Sequence, residues 1–431
     1  MSALNKSRMQ PQFKLNGTAV ENILGLMLLS YPALLFLVRG GMNGVMFVLV
    51  LFSLYLLATG CRQRAPLSSS EIAFGIAMSS GLVAIFLSQL YHHELSARHF
   101  DSASRFLLAV PIVYALRYAG GARMFSAMQY AFPLGAIAAL IAVVAEHPST
   151  SYSASTSFMN HIHLGDTAIL LAFLSLFSIN WIRADGLAVK ALKISGVFAG
   201  LIVTVLSQAR GGWVAIPIFV AVYIYAHSQA EQFRRLVVVA ATAGLVVLLS
   251  YLFIDPVQLR IGMIFSDLSQ FQAGNIDTSI GVRLQLWSAA IQLIVENPIF
   301  GVGADGFGGA MGSLSEQGLI TPIAAELGRG EVHSEILAQT VRFGVFGLGF
   351  ILAVYFVPLY YFLKLAKSAN RQQAVPALMG ICVTLGFFVF GLTVETFNLK
   401  MTAAFYCTTI AALFAAASTR IDIGSSVQVK N

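Results

Sequence analysis

Charge is what this chain has least of. Only 10% of its 431 residues are Asp, Glu, Lys or Arg, while 57% are hydrophobic, against roughly a quarter charged in a soluble domain. That balance, with a mean hydropathy of +0.78, excludes an ordinary soluble globular protein. Cysteine is scarce too. Cys61, Cys382 and Cys407 lie in or beside apolar runs and supply neither a disulfide framework nor a metal-ligand spacing. No H-E-x-x-H occurs and no D-x-D pair stands in an outer segment, so the usual marks of a zinc site and of metal-dependent sugar transfer are missing. His161 and His163 are two apart and would not share a helix face. Neither a metal nor a cofactor is expected.

What is present is apolar helix. A membrane span needs roughly 20 apolar residues, and on that scale about twelve runs qualify, near 20–38, 45–60, 72–90, 106–119, 125–145, 164–182, 192–207, 213–227, 236–254, 335–363, 375–394 and 402–417. The expected fold is therefore all-α and polytopic, in three blocks. Residues 1–254 hold spans one to nine, 255–334 form a long polar loop, and 335–431 hold the last three spans and the C-terminal tail. With the N-terminus inside, seventeen of the twenty-six lysines and arginines fall on the inner side. The positive-inside rule then puts both termini in the cytoplasm and the long loop outside. The polar first sixteen residues, with no small-residue cleavage site after the first run, read as a retained signal anchor. The net charge of +7 is accounted for by inner flanks held against anionic lipid headgroups, with no need for nucleic acid.

Arginines on the outer side oppose the topology signal, so each invites a reason. Arg210 stands in Ser207-Gln208-Ala209-Arg210-Gly211-Gly212-Trp213, a short turn between two runs. It could snorkel to the interface with Trp213 as an anchor, or contact an anion that the two glycines let approach the backbone. In the long loop, Ser279 to Val295 reads as an amphipathic helix with Ile280, Leu284, Trp287, Ile291 and Ile294 on one stripe, ending at Asn297-Pro298. Arg283 lies one turn before Trp287. The following Gly301-Val302-Gly303 has no strand before it and no GK[ST] after it, which excludes a nucleotide loop; it is a tight turn whose amides could also meet an anion. His333 opens the next apolar run in Glu331-Val332-His333-Ser334. Alone it is either a hydrogen-bonded cap or a catalyst. Glu395, with Asn398 and Lys400, forms the last outer turn and could line the same cavity or cap helices.

Taken together, Arg210 in its Ser-Gln-Ala-Arg-Gly turn, Arg283 and Trp287 leading through Asn297-Pro298 to Gly301 and Gly303, and His333 opening a span resemble the O-antigen ligase family. The wider group includes O-antigen polymerases and bacterial O-linked oligosaccharyltransferases. The similarity covers about 201–347. Where the family commonly has asparagine after the histidine, this chain has Ser334. The resemblance implies a GT-C-like, metal-independent, inverting glycosyltransferase on the periplasmic face of a Gram-negative inner membrane. Its donor would be undecaprenyl-pyrophosphate-linked O-antigen, its acceptor the lipid A core oligosaccharide, and membrane lipids its surroundings. His333 would be the general base and Arg210 and Arg283 the pyrophosphate ligands, with Trp287, Gly301, Gly303 and Glu395 contributing to substrate binding. A polymerase or protein O-oligosaccharyltransferase would use the same residues with another acceptor. A lipid-linked-sugar transporter fits less well, because the long loop is late and outside and paired polar sites are scarce within the spans.

Overall fold

The structure, a computed structural model, describes residues 17–59, 67–119, 121–146, 153–226, 262, 266 and 269–419, without the side chains of Ala122 and Arg210. Among the described residues there is no strand, only an isolated bridge between Thr156 and Met159. The helices are α1 (Gly17–Leu37), α2 (Gly41–Thr59), α3 (Ser69–His92), α4 (Phe100–Ala119), α5 (Ala122–Glu146), α6 (His161–Phe177), α7 (Leu187–Ser207), α8 (Arg210–Trp213) and α9 (Ile216–Ala226). The long polar segment and the last runs give α10 (Ser279–Glu296), α11 (Gly306–Glu316), α12 (Pro322–Gly328), α13 (Glu335–Leu365), α14 (Arg371–Phe390) and α15 (Lys400–Ser418). Every expected run except 236–254 overlaps these helices, 213–227 being divided between α8 and α9; the run 236–254, and the start of the long loop, lie outside the described residues. Eight of the helices are long and apolar enough to cross a membrane, and α6 and α9 are shorter apolar helices. The chain is an integral membrane protein.

Burial ranks the helices. The apolar window of α15 is 89% buried and that of α2 only 28%, so α15 is the central post and α2 faces outward. Small residues make this possible, since helices in lipid associate by close packing rather than by escape from water. Ala403, Ala404, Ala411 and Ala412 are all fully buried and let α4, α14 and α1 approach. Tyr31 of α1 and Thr409 of α15 share a hydrogen bond of 3.0 Å in this core.

The helices between 279 and 328 have a core of their own. Val282, Leu286, Leu293, Phe307, Met311 and Leu314 pack together with Val332, Ala338 and Val341, joining α10 to α12 onto the start of α13. Thr278 caps α10 through the Gly281 N–H, and the helix ends at Asn297 before Pro298. Its packed face differs from the expected stripe: Val282, Leu286, Ala289, Ala290 and Leu293 are buried, whereas Leu284 and Ile291 are 42% and 53% exposed. The helix is apolar on two sides. Alanines seat it closely on its own core, and the larger aliphatics are left facing out.

α13 is two helices joined at Gly344, whose φ of 61° and ψ of −146° break the ladder. The Gly301-Val302-Gly303 turn fills the break. The Val302 and Gly303 N–H groups donate to the Val341 and Arg342 carbonyls at 2.9 and 3.1 Å, and Val345 N–H donates to Pro298 O at 2.9 Å. A Cβ on Gly344 would stand 2.2 Å from Ile299 O, and one on Gly301 would stand 2.5 Å from Arg342 O. Backbone strain of this kind is worth about 1–3 kcal/mol before any clash. We expect Gly344→Ala to lower the melting temperature in detergent clearly, and Gly349→Ala, whose Cβ would meet nothing within 4 Å, to leave it unchanged. Equal melting of the two variants would contradict the account of the kink.

Candidate active site

The site is built around a strained histidine. His333 has a φ of 58°, a left-handed conformation that a non-glycine residue keeps only when its surroundings enforce it. Hydrogen bonds on both sides do so. Val332 N–H donates to Glu395 Oε1 at 2.6 Å, Trp287 Nε1 donates to His333 O at 3.2 Å, and Glu335 N–H donates to Gly391 O at 2.7 Å. Helix α10, the start of α13 and the turn after α14 thus all fix one residue.

The same turn brings Glu331 back onto the ring. His333 Nδ1 lies 2.7 Å from Glu331 Oε1, off the line of an ideal hydrogen bond, with the two side chains 16% and 26% exposed. Burial pushes the Glu331 carboxyl up, but the His333 ring, the His163 ring and the Glu395 backbone amide outweigh it and hold the carboxyl below its usual range. A depressed carboxyl contributes stability that is present above its unfolded value, near 4.3, and is lost as pH falls through its folded value. Glu331→Gln is therefore expected to flatten the loss of stability below about pH 4.3. Melting curves of the two proteins in detergent between pH 3 and 7 check this; superimposable pH dependence would contradict it.

Beneath His333 lies a closed ion pair. Glu395 accepts from Arg342 at both oxygens, at 2.6 and 3.0 Å, and is 1% exposed. The planar fork matches the carboxylate. Both Glu395 oxygens are thereby engaged inside the protein, so this carboxylate positions the Val332-His333 backbone. Nearby, Glu335 accepts from Phe397 N–H at 2.9 Å and Gln339 Nε2 at 2.8 Å.

The Arg210 turn reaches this region through glycines. A Cβ on Gly211 would stand 2.7 Å from Thr393 Oγ1, two residues from Glu395, and one on Gly212 would stand 2.6 Å from Asp166 Oδ1 of α6. A Cβ on Gly165 would strike Ser207 and Ala209. At each place a Cβ would meet a side chain of the facing element, Thr393, Asp166, or Ser207 and Ala209, so the absence of a side chain lets the elements pack closely. The Arg210 backbone therefore opens α8 between α6 and the turn after α14, while its side chain lies outside the described residues. His163, buried on α6, is close enough to Glu331 for the two to influence each other electrostatically.

Arg283 lies one turn before Trp287 on α10, its Nη1 3.4 Å from Ser279 Oγ. Trp287 meets the His333 backbone directly. Gly301 and Gly303 are put to another use: their turn is bonded into the break of α13, so the amides of Val302 and Gly303 are taken and not open to an anion. The rim of this turn is tied to α3 and the segment after it. His92 Nε2 is 3.0 Å from Gly301 O, Ser88 Oγ donates to Phe300 O at 2.8 Å, and Asp305 pairs with Arg98 and His99. Sequence reasoning did not single out Glu331, Arg342 or Asp166. For Glu331 the available signal was a carboxylate two residues before a histidine in a non-helical stretch, where a turn can fold one onto the other.

Comparison with known proteins follows the same segment. A model of the O-antigen ligase family matches residues 195–352. An uncharacterised protein of Haemophilus influenzae is 24% identical over 301 residues, covering 69% of this chain and 74% of that protein. An O-antigen ligase of Escherichia coli K12 is 25% identical over 199 residues, covering 45% of this chain and 44% of that protein, so the chain spans less than half of its length. These likenesses support a membrane glycosyltransferase role related to the family. The matched segment runs from α7 through the Arg210 turn and α10 to His333 and the kink of α13, and over it the chain resembles the O-antigen ligase family.

Proposed function

We propose that this protein is an O-antigen ligase, moving preassembled glycan from undecaprenyl pyrophosphate onto the lipid A core oligosaccharide at the periplasmic face of a Gram-negative inner membrane. The observation that carries the reading is the His333–Glu331 pair, 2.7 Å apart, on a strained backbone at the mouth of α13. With Nδ1 turned to a carboxylate, the ring is oriented and its Nε2 is left to take a proton.

The acceptor hydroxyl approaches the anomeric carbon from the side opposite the pyrophosphate. His333 Nε2 takes the hydroxyl proton while an oxygen lone pair forms the new glycosidic bond. The bond from the anomeric carbon to the pyrophosphate oxygen breaks, its electron pair leaves with the pyrophosphate, and the anomeric centre inverts. Negative charge grows on the leaving group as this happens. Arg210 and Arg283, charged at any working pH and able to fork two hydrogen bonds to phosphate oxygens, stabilise that charge without a metal ion. A polyprenyl tail keeps the pyrophosphate at the membrane surface, the level of an outer turn and an outer helix. Trp287 holds the His333 carbonyl, and the Glu395–Arg342 pair holds the backbone beneath it.

The test is reconstitution with purified protein, undecaprenyl-pyrophosphate-linked glycan and lipid A core in the presence of a chelator. Core-linked glycan is expected. Longer glycan with no core attached would instead indicate an O-antigen polymerase, glycan on a protein hydroxyl a protein O-oligosaccharyltransferase, and passage of the donor across a vesicle bilayer with no transfer a transporter.

A further inference from the structure

Asp166 lies about one and a half turns into α6, 2% exposed, and neither carboxyl oxygen has a hydrogen-bond partner among the described residues. The two buried glutamates nearby are completed from within the protein, Glu335 by Phe397 N–H and Gln339, and Glu395 by Arg342 and Val332 N–H. Asp166 is not. An ionisable group buried in a membrane helix without a partner is costly, and such groups mark substrate contacts more often than packing.

Its neighbours say what it faces. Gly212 leaves no room for a side chain against Asp166 Oδ1, and Gly165 seats α6 directly on Ser207 and Ala209, so the carboxyl abuts the turn that contains Arg210 in the sequence. His163 is three residues earlier on the same helix face and stands within electrostatic range of Glu331, the partner of His333. The carboxyl therefore lies against the arginine turn and one helical turn from His163, the residue that influences Glu331, on the side of the bundle where the proposed reaction takes place.

As a carboxylate, Asp166 calls for a partner that donates a hydrogen bond. Pyrophosphate cannot, because it offers acceptors and negative charge that a carboxylate repels. The sugar joined to it can, through ring hydroxyls or, in an amino sugar, an amide N–H. We propose that Asp166 binds the first sugar of the lipid-linked donor, accepting a hydrogen bond from a hydroxyl or acetamido N–H and so fixing the anomeric carbon between the pyrophosphate ligands and His333. The inference rests on the glycosyl-transfer reading and adds a residue that distinguishes a sugar-bearing donor from bare polyprenyl pyrophosphate.

The experiment measures binding to the purified full-length protein in detergent, with undecaprenyl pyrophosphate and with undecaprenyl pyrophosphate carrying one N-acetylhexosamine as probes. Asp166→Ala is expected to weaken the sugar-bearing probe at least tenfold and to leave the bare probe unchanged. The ligand-free melting temperature should match or exceed that of the wild type, because removing an unpaired buried carboxyl relieves a cost instead of breaking a contact. Asp166→Asn, which keeps the shape and a hydrogen-bonding carbonyl, should melt likewise and lose less affinity. Unchanged binding of both probes, equal weakening of both, or a lowered ligand-free melting temperature in both variants would overturn the proposal. If reconstitution yields no glycosyl transfer while the sugar-dependent loss of binding is still observed, the transfer reading has failed and the sugar site stands.

Discussion

His333→Ala is expected to reduce glycan transfer by about 10²- to 10⁴-fold, the range that general-base catalysis supplies, while the lipid-linked donor still binds. The separation follows from geometry. The ring is set at the start of α13 by a strained backbone and by Glu331 at Nδ1, whereas the pyrophosphate is assigned to arginines from α8 and α10. Removing the imidazole leaves the α10 core and the Glu395–Arg342 pair intact, so the variant should fold as the wild type does. Single-turnover transfer and donor binding measured on the same preparation check this. Loss of donor binding equal to the loss of transfer would mean that His333 holds substrate and is not the base.

Replacing the arginines tests the other half of the mechanism. Arg283→Ala and Arg210→Ala are each expected to slow transfer by about 10²- to 10³-fold, as for removal of one group that stabilises a developing anion. The lysine variants discriminate more sharply. Lysine keeps the charge but not the planar fork, so a site built on bidentate phosphate contacts should recover little of the rate, whereas one needing only positive potential should recover most of it. Arg283→Lys is the cleaner of the two, because α10 is fixed at both ends by Thr278 and Asn297 and the substitution leaves its packed face untouched. Wild-type rates in Arg283→Lys would remove the forked contact from the account.

Much of the fold was legible because lipid allows so little: an apolar run near 20 residues must become a helix. Helix α10 was legible from its periodicity and its Asn297-Pro298 stop. Its orientation was not, since Ala289 and Ala290 count for little on a hydropathy wheel yet form the packed face, while Leu284 and Ile291 point outward. His333 could be singled out by its place at a span boundary, but its partner could not. Residues two apart meet only if the chain turns, and the turn here uses a left-handed histidine with no glycine to announce it. The glycines at 301 and 303 raised the question of an anion loop; their use, filling a break in α13, depends on Gly344, more than forty residues along the sequence. Asp166 was hidden because an isolated carboxyl inside an apolar run does not alter the reading of a span.

The proposed reaction is one displacement at a base-activated acceptor with the pyrophosphate as leaving group. The most direct measurement is single-turnover transfer from an undecaprenyl-pyrophosphate glycan of defined anomeric configuration onto lipid A core, with the product linkage assigned by NMR for the wild type and the rate compared with His333→Ala. Core-linked glycan of inverted configuration is expected, formed by the wild type and reduced at least about 10²-fold in the variant. Retention of configuration, or transfer by His333→Ala at the wild-type rate, would contradict it.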